Sequence, residues 1–198
     1  MKRLFLTATF LILSCISTFA QREVGKGELS WQYSVISREF KSVDIPNVYS
    51  IEREYVPQGF GVSVSGNLTK AVAVVGDVSY NWSNSSKFSL KSRDFIFLSG
   101  PRFYIRGDSF SAFGQVMAGI AIRTDEFSNS SQFNLGQLIS IKDTDFALGF
   151  GGGADITLSK RVSLRVFQLD FIPTHNNDVW LKNYRIKTGI VFRFDYFK

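Results

Sequence analysis

Near its C-terminus the sequence reads Tyr184-Arg185-Ile186-Lys187-Thr188-Gly189-Ile190-Val191-Phe192-Arg193-Phe194. Successive side chains of a β-strand point to opposite faces, so a strand here would have two different surfaces. One face would carry Tyr184, Ile186, Thr188, Ile190, Phe192 and Phe194, and the other Arg185, Lys187, Gly189, Val191 and Arg193. The stretch therefore predicts a strand with an apolar face and a cationic face. A soluble sheet shows the same alternation, so the rest of the chain must decide which face is buried.

Seven similar stretches precede it. The alternation predicts strands at residues 28–35, 60–66, 71–80, 94–106, 110–123, 144–158, 162–166 and, last, 184–194. Short turns at 67–70, 106–109 and 159–160 alternate with longer polar connections at 37–57, 81–92, 124–143 and 172–183. Consecutive strands would then pair as hairpins, and all the long connections would leave from one end. This arrangement predicts an all-β fold, an eight-stranded antiparallel up-and-down transmembrane β-barrel.

The composition agrees with a strand-rich chain and excludes some function classes. Phe accounts for 20 residues and Pro for only 4, a mixture that favours strands. After the N-terminus, no stretch approaches the roughly 18 consecutive apolar residues of a transmembrane helix. Removal of Lys2 and Arg3 from the 23 basic residues leaves 21 against 17 acidic residues, a net charge of +4. The basic residues form no run, so no nucleic-acid partner is expected.

The N-terminus has the pattern of an export signal. Two cations at Lys2 and Arg3 precede the apolar segment 4–16, and Thr18-Phe19-Ala20 supplies a small-x-small cleavage site. We predict a signal peptide at residues 1–20 and a single barrel domain at 21–198. In the alternative, Ile12-Leu13-Ser14-Cys15 is a lipoprotein box and Cys15 is lipidated.

Metal and cofactor sites have few candidate ligands. Cys15 is the only cysteine and lies in the predicted leader, so the mature chain would have neither a disulfide nor a thiol ligand. The only histidine is His175, which excludes a His-rich zinc site. We therefore expect no cofactor and no metal.

The seventh strand contains a register conflict. Arg165 has odd parity, whereas Gln168 and Asp170 have even parity, so a regular strand would turn one set toward lipid. A charge facing the middle of the bilayer costs about 2–4 kcal/mol. A β-bulge near Val166 and Phe167 would turn all three polar side chains inward. We predict that bulge, or a strand end that reaches the interface there.

Several of these segments occur in a known group of proteins. They are Gly100-Pro101-Arg102, Gly151-Gly152-Gly153-Ala154-Asp155, Arg165 with Gln168-Leu169-Asp170, and the closing Gly189–Phe194. With them, the chain resembles the small eight-stranded outer-membrane barrels of the opacity-protein and outer membrane protein A transmembrane-domain type. The resemblance implies a porin-like cell-envelope protein of a Gram-negative bacterium, exported to the outer membrane and surrounded by its lipid. It also implies a monomer inserted by the barrel-assembly machinery, with a closing-strand signal at Phe192, Phe194 and Phe197.

The inward faces of the predicted strands carry charged side chains. We expect a lumen charge network of Asp77, Arg102, Arg123, Asp155, Arg165, Asp170, Arg185, Lys187 and Arg193. Side chains fill the interior of an eight-stranded barrel, and buried charges must be paired. The favoured interpretation is a salt-bridged plug in which Arg185, Lys187 and Arg193 neutralise Asp77, Asp155 and Asp170. The alternative is a gated path for ions or small solutes.

A second group of residues lies near the predicted strand ends. Interfacial aromatic belts account for Trp31, Tyr80, Trp82, Trp180 and Tyr184. His175 would be the general base if the barrel modified lipid A, but no serine follows it as in the deacylase pattern.

The function expected from the sequence is a structural, surface-interaction or adhesion role and not an enzymatic one. Extracellular loops would carry it by binding a host or surface ligand. A small-solute channel and a lipid A-modifying enzyme using His175 are the alternative functions. A soluble lipocalin-like barrel, with the apolar row inside and the charged row in water, is the alternative fold.

Overall fold

The computed structural model describes residues 26–38, 56–85, 90–127, 139–176 and 179–194. Its strands are β1 (Gly27–Arg38), β2 (Gln58–Asn67), β3 (Val72–Ser85), β4 (Leu90–Arg106), β5 (Phe110–Phe127), β6 (Ile139–Thr157), β7 (Val162–Phe171), β8 (Thr174–Asn176), β9 (Val179–Leu181) and β10 (Asn183–Phe194). Within these ranges there is no helix of the length and apolarity needed to cross a membrane.

Eight of these strands form a closed barrel. Each pairs antiparallel with its neighbour in the order β1-β2-β3-β4-β5-β6-β7-β10. The barrel closes where β10 returns to β1, in an unbroken register from Gly27 opposite Phe194 to Arg38 opposite Asn183. Because every barrel strand has two partners, the wall has no open edge, and the predicted eight-stranded up-and-down fold is confirmed.

The barrel is apolar outside and polar inside. On β1, Trp31 exposes 62 % of its surface, whereas the next residue, Gln32, exposes none. The same alternation on β10 exposes Ile186 and Ile190 and buries Arg185 and Lys187. Water would penalise such a wall and lipid would not. The soluble lipocalin-like alternative, which needs the apolar row inside, is therefore wrong.

The two ends of the barrel differ in their connections. Tight turns join β2 to β3, β4 to β5 and β6 to β7 at one end, which we call the turn end. In two of them a hydroxyl accepts hydrogen bonds from two backbone N–H groups: Thr69 from Ala71 and Val72, and Ser159 from Arg161 and Val162. The longer connections lie at the opposite end, the loop end.

The strands extend further toward the loop end than the sequence pattern indicated. Residues 81–92 and 124–143 were expected to be loops, but β3 continues to Ser85 and β6 already begins at Ile139. The segment 172–183 contains the hairpin β8–β9, which is joined to the barrel where Thr174 lies opposite Ala147 on β6. Backbone pairing does not require apolar alternation, so a hydrophobicity pattern does not predict the parts of a strand whose two faces are both polar.

The predicted bulge in β7 is confirmed. Phe167 lies opposite Ala154 and Arg165 opposite Asp155, so Val166 is the extra residue. Val166 and Phe167 are both exposed, and Arg165 and Gln168 on either side of them are both buried. The bulge allows β7 to keep its charged residues inside and its apolar residues outside along its whole length.

Substitution on the wall tests the position of the lipid. Ile190 is an outward residue of β10, opposite Trp31 and Leu164, and Ile190→Arg should lower the free energy of unfolding by about 2–4 kcal/mol. The matched control is Leu158→Arg at the turn end, for which the cost should stay below about 1 kcal/mol. Urea unfolding from lipid vesicles measures both. Equal, small effects at the two positions would contradict a lipid-facing wall.

Candidate functional site in the barrel lumen

The lumen is the candidate site, and its side chains form three groups, which we call layers after their order along β4. On the β3 side the groups overlap, because Asp77 lies opposite Leu98 and Ser79 opposite Ile96. Strand β4 shows the order: from the loop end its inward residues are polar (Ser92, Asp94), then apolar (Ile96, Leu98), then polar again. We name the layers after their residues. The outer ionic layer is Arg38, Ser92, Asp94, Arg123 and Asp125; the apolar layer is Ile36, Val75, Ile96, Leu98, Met117, Ala147 and Ile172. The inner ionic layer is Glu28, Asp77, Arg102, Tyr104, Arg106, Gln115, Asp155, Arg165, Gln168, Asp170, Arg185, Lys187 and Arg193.

Arg185 is at the centre of the inner ionic layer. Its Nη2 lies 2.9 Å from Asp77 Oδ1 and 2.9 Å from Asp170 Oδ2, and its Nη1 donates to the Ser79 hydroxyl at 2.8 Å. Lys187 Nζ lies 2.5 Å from the other oxygen of Asp77. The charges of β10 thus connect β3 on one side of the lumen to β7 on the other, and all four charged side chains are buried.

A second ion pair lies beside the bulge. Arg165 donates from Nε and Nη2 to the two oxygens of Asp155 at 2.8 and 3.1 Å, a bidentate contact between directly opposed residues. Its Nη1 donates to Gln168 Oε1 at 2.9 Å, and Gln168 Nε2 donates to both oxygens of Asp170. The bulge therefore joins the Arg165–Asp155 pair to the central cluster through one glutamine.

Arg102 is neutralised indirectly. It is buried, and no carboxylate among the described residues lies within ion-pair distance of it. Two of its nitrogens donate to Gln115 Oε1 at 2.9 and 2.6 Å, and Gln115 Nε2 donates to Asp170 Oδ1 at 2.8 Å. The Phe113 ring lies 4.4 Å from the Arg102 guanidinium carbon and 4.5 Å from that of Arg165. Cation–π contacts with one ring thus stabilise two arginines.

Glu28 organises the turn end of the lumen. Its carboxylate accepts a hydrogen bond from the Tyr104 hydroxyl at 2.7 Å and lies 3.3 Å from Arg106 Nη2 and 3.6 Å from Arg193 Nε. The Arg106 guanidinium also stacks on the Tyr104 ring at 3.7 Å. Glu28 and Arg106 were not among the predicted lumen residues, although Glu28 has the inward parity of the buried Ser30 and Gln32.

The outer ionic layer is smaller. Arg38 pairs with Asp94, and Arg123 Nε lies 3.7 Å from the same carboxylate. Arg38 also donates to the Ser92 hydroxyl, which in turn donates to Asp125 at 2.5 Å. Arg38 was not predicted to face the lumen, because residues from 37 onward were expected to form a loop, whereas β1 continues to Arg38.

The apolar layer is a further part of the site that was not predicted from the sequence. Leu98, Ala147 and Ile172 have no exposed surface, and Met117 exposes only 2 %. A signal was present: Phe95-Ile96-Phe97-Leu98 is apolar at four consecutive positions, so both faces of β4 are apolar there. In a barrel with lipid outside, such a run means that the lumen is also apolar on the β4 side.

The nine predicted lumen charges all lie on inward faces. Seven are buried, while the side chains of Arg123 and Arg193 expose 17 % and 12 %. Two predicted pairings were wrong. Asp155 pairs with Arg165 of the neighbouring strand, and Arg193 pairs with Glu28, because each lies nearer to that partner along the barrel axis.

The predicted aromatic residues lie on the outer wall. Tyr80 contacts Trp82, Tyr184 contacts Phe171, and Trp180 contacts His175 across the β8–β9 hairpin. Trp31 and Tyr80 were predicted near strand ends, and both positions are corrected: Trp31 is the fifth of the twelve residues of β1, and Tyr80 is the ninth of the fourteen residues of β3.

The remaining predicted positions are the closing-strand signal and His175. Phe192 faces outward and Phe194 is half-buried, whereas Phe197 lies outside the described residues. His175 lies opposite Phe146 on β6, and in the described ranges no hydrogen bond joins it to a serine or a carboxylate. The described part of the chain also has no group of three or more His, Cys, Asp or Glu suited to hold a metal ion.

Comparisons with known proteins show which family and which solved structures this barrel is similar to. The family model of the outer membrane protein β-barrel domain matches residues 6–194. Ail, the attachment invasion locus protein of Yersinia pestis, superposes with a TM-score of 0.58 at 16 % identity, covering 87 % of this chain and 100 % of Ail. Neisserial surface protein A superposes with a TM-score of 0.57 at 9 % identity, covering 87 % of this chain and 100 % of that protein. OprG of Pseudomonas aeruginosa superposes with a TM-score of 0.54 at 10 % identity, covering 89 % of this chain and 99 % of OprG. These identities show a shared fold only. A search of curated protein sequences finds no match.

Loss of one buried carboxylate tests the inner ionic layer. Asp155→Ala leaves Arg165 buried without a carboxylate partner, so the free energy of unfolding should fall by about 3–5 kcal/mol and the unfolding temperature with it. The control is Glu126→Gln, which breaks the exposed pair with Arg93 and should cost at most about 1 kcal/mol. An unchanged unfolding temperature in Asp155→Ala would count against a stabilising charge network.

Proposed function

The chain belongs to the outer membrane protein β-barrel domain family, and on that basis we propose that it is a sealed outer-membrane barrel that carries surface-binding loops. In this proposal the barrel is a rigid anchor exported by the signal peptide at residues 1–20. The connections at the loop end face the exterior and contact a surface or host ligand. The lumen carries no solute, and His175 has no catalytic role.

The observation that carries the proposal is the apolar layer. Ile96, Leu98, Met117 and Ile172 pack together inside the lumen with at most 3 % exposure each, beside the central ion pairs, since Leu98 lies opposite Asp77. Hydrated ions and polar solutes cannot pass dry apolar contacts of this kind without losing their water. The pairs of Arg185 and Lys187 with Asp77 fill the lumen next to these apolar side chains. A path would require both the apolar contacts and the ion pairs to open.

The ends of the barrel indicate where a ligand would be bound. Only tight turns leave the turn end, whereas the connections 39–57, 86–89, 128–138 and 172–182 leave the loop end. Loops held by a rigid scaffold are the usual place for binding residues. Ail, which shares the fold, is by its name an attachment protein, and it has been solved with the heparin analogue sucrose octasulfate. For this chain the proposal is based on its own sealed lumen and loop lengths.

Loop replacement tests this role. Bacteria that display the chain should adhere to host cells or matrix, and replacement of residues 41–54 by a short Gly-Ser linker should reduce that adhesion at least about tenfold without unfolding the barrel. The control variant replaces the turn residues Asp108 and Ser109 by glycine and should leave adhesion unchanged. Both variants should keep heat-modifiable migration in detergent gels. Loop-mediated binding would be refuted if the loop variant adhered as well as the control variant. It would also be refuted if cells that display the chain adhered no better than non-displaying cells.

Planar-bilayer recording separates the sealed barrel from the channel. The wild-type chain and the loop variant should both give no discrete conductance, because the seal lies within the strands and not in the loops. Discrete openings in the wild type would support the small-solute channel instead. Openings only after loop replacement would show that the loops, and not the apolar layer, close the lumen.

A further inference from the structure

The outer wall carries a connected group of aromatic side chains on β1, β2 and β3. The Phe60 ring lies 6.4 Å from Trp31, 6.1 Å from Tyr33 and 5.8 Å from Trp82, and Trp82 lies 5.9 Å from Tyr80. We call these five residues the aromatic patch. Trp31, Tyr33, Phe60 and Tyr80 each expose 40 % or more of their surface. The patch is therefore a broad, rigid apolar surface that faces lipid.

Two cations lie on the loop-end side of this patch. Arg93 is directly opposite Trp82 in the β3–β4 register, and Lys91 lies two residues further toward the loop end. Both are outward residues, since the alternate positions Ser92 and Asp94 are buried in the lumen. On the same face of β4 the next outward residues are Phe95 and Phe97, both exposed. The wall thus changes from apolar to cationic between Phe95 and Arg93.

This change locates the boundary between hydrocarbon and headgroups. A charged side chain on the lipid face is costly at the middle of the bilayer and tolerated near its surface. Trp and Tyr concentrate at that same boundary. Arg93 and Lys91 must then lie at the level of the lipid headgroups, with Trp82 and Tyr80 of the aromatic patch against the upper part of the acyl chains.

The charged residues around Arg93 do not neutralise one another completely, so a positive charge remains to bind an anionic ligand. Arg93 Nη1 lies 3.2 Å from Glu126 Oε1, and the Arg93 side chain remains 48 % exposed. Lys91 is opposite the same Glu126 in the β4–β5 register. One carboxylate faces two cations, so the site keeps a net positive charge. Glu126 also holds the guanidinium in place, and the Arg93 nitrogens that it does not bind can donate to the oxygens of a phosphate group.

We propose that Lys91, Arg93 and the aromatic patch form a binding site for a lipid with a phosphorylated headgroup in the outer leaflet of the same membrane. The phosphate binds Arg93 and Lys91, because arginine and lysine are the side chains that bind phosphate oxygens. The first part of the lipid's acyl chains lies along Trp82, Tyr80 and Phe60. The site is on the wall of the barrel, so it is independent of the loops and of the sealed lumen.

Lipid titration of the full-length protein in a neutral detergent tests the site. Lipid A, with its phosphates, should raise the unfolding temperature at a lower concentration than phosphatidylcholine does. In the variant Lys91→Gln/Arg93→Gln the half-maximal lipid A concentration should increase about tenfold or more, since each cation near an anionic lipid surface contributes strongly to binding. The control Lys160→Gln/Arg161→Gln removes the same charge at the turn end and should retain the wild-type response.

A third variant changes binding in the opposite direction. Glu126→Gln removes the carboxylate that competes with phosphate, so the half-maximal lipid A concentration should fall, by about threefold for a surface charge. This gain cannot be produced by a misfolded barrel. If it is absent, or if the Lys91→Gln/Arg93→Gln variant responds like the wild type, the proposal is overturned.

The remaining arms identify the bound group. Inorganic phosphate at the same phosphate concentration should leave the unfolding temperature unchanged, because it lacks the chains that contact the aromatic patch. An equal shift with free phosphate would mean that the site takes a soluble anion. An equal shift with phosphatidylcholine would mean that the patch binds lipid without regard to charge. Either result would overturn a site for phosphorylated lipid.

Discussion

Arg185 lies between Asp77 and Asp170, 2.9 Å from an oxygen of each, and the rest of the lumen depends on this contact. An isolated buried charge is costly enough to prevent folding, so each member requires the others to be in place. Two of the residues come from the neighbouring strands β7 and β10, and the third comes from β3, which is distant in sequence and lies across the lumen. Arg165 and Gln168 extend the contact to Asp155, and Gln115 extends it to Arg102. A wrong register in any of these strands would leave a charge unpaired.

The same constraint explains the layers of the lumen. Lipid requires an apolar exterior, and the narrow interior must then take nearly all the polar side chains that the alternation supplies. At the level of Ile96 and Leu98 the alternation is suspended, and both faces of β4 become apolar. These apolar side chains lie beside the inner ionic layer, where Leu98 is opposite Asp77, and they exclude water from it on that side. The low dielectric there strengthens the attraction between its charges.

The sequence predicted the features that follow from alternation and from the cost of misplaced charge. The β7 bulge is an example, since only an extra residue near Val166 reconciles Arg165 with Asp170. It did not predict the extension of β5 to Phe127, because a strand in water needs no apolar face. The actual partners of Asp155 and Arg193 were also not predicted, because pairing depends on the stagger of the strands around the barrel. The parity of a residue number predicts which face of the strand a side chain is on, whereas only the strand register gives its position along the barrel axis.

The most direct measurement of the charge network is a double-mutant cycle on its bidentate pair. Asp155→Leu and Arg165→Met are made separately and together, and the free energy of unfolding from lipid vesicles is measured in urea. If the two charges stabilise each other, the double variant is less destabilised than the sum of the single variants by about 1–3 kcal/mol. It should also be no less stable than the worse single variant, because neither charge is left alone. Additive effects of the two substitutions would contradict the account.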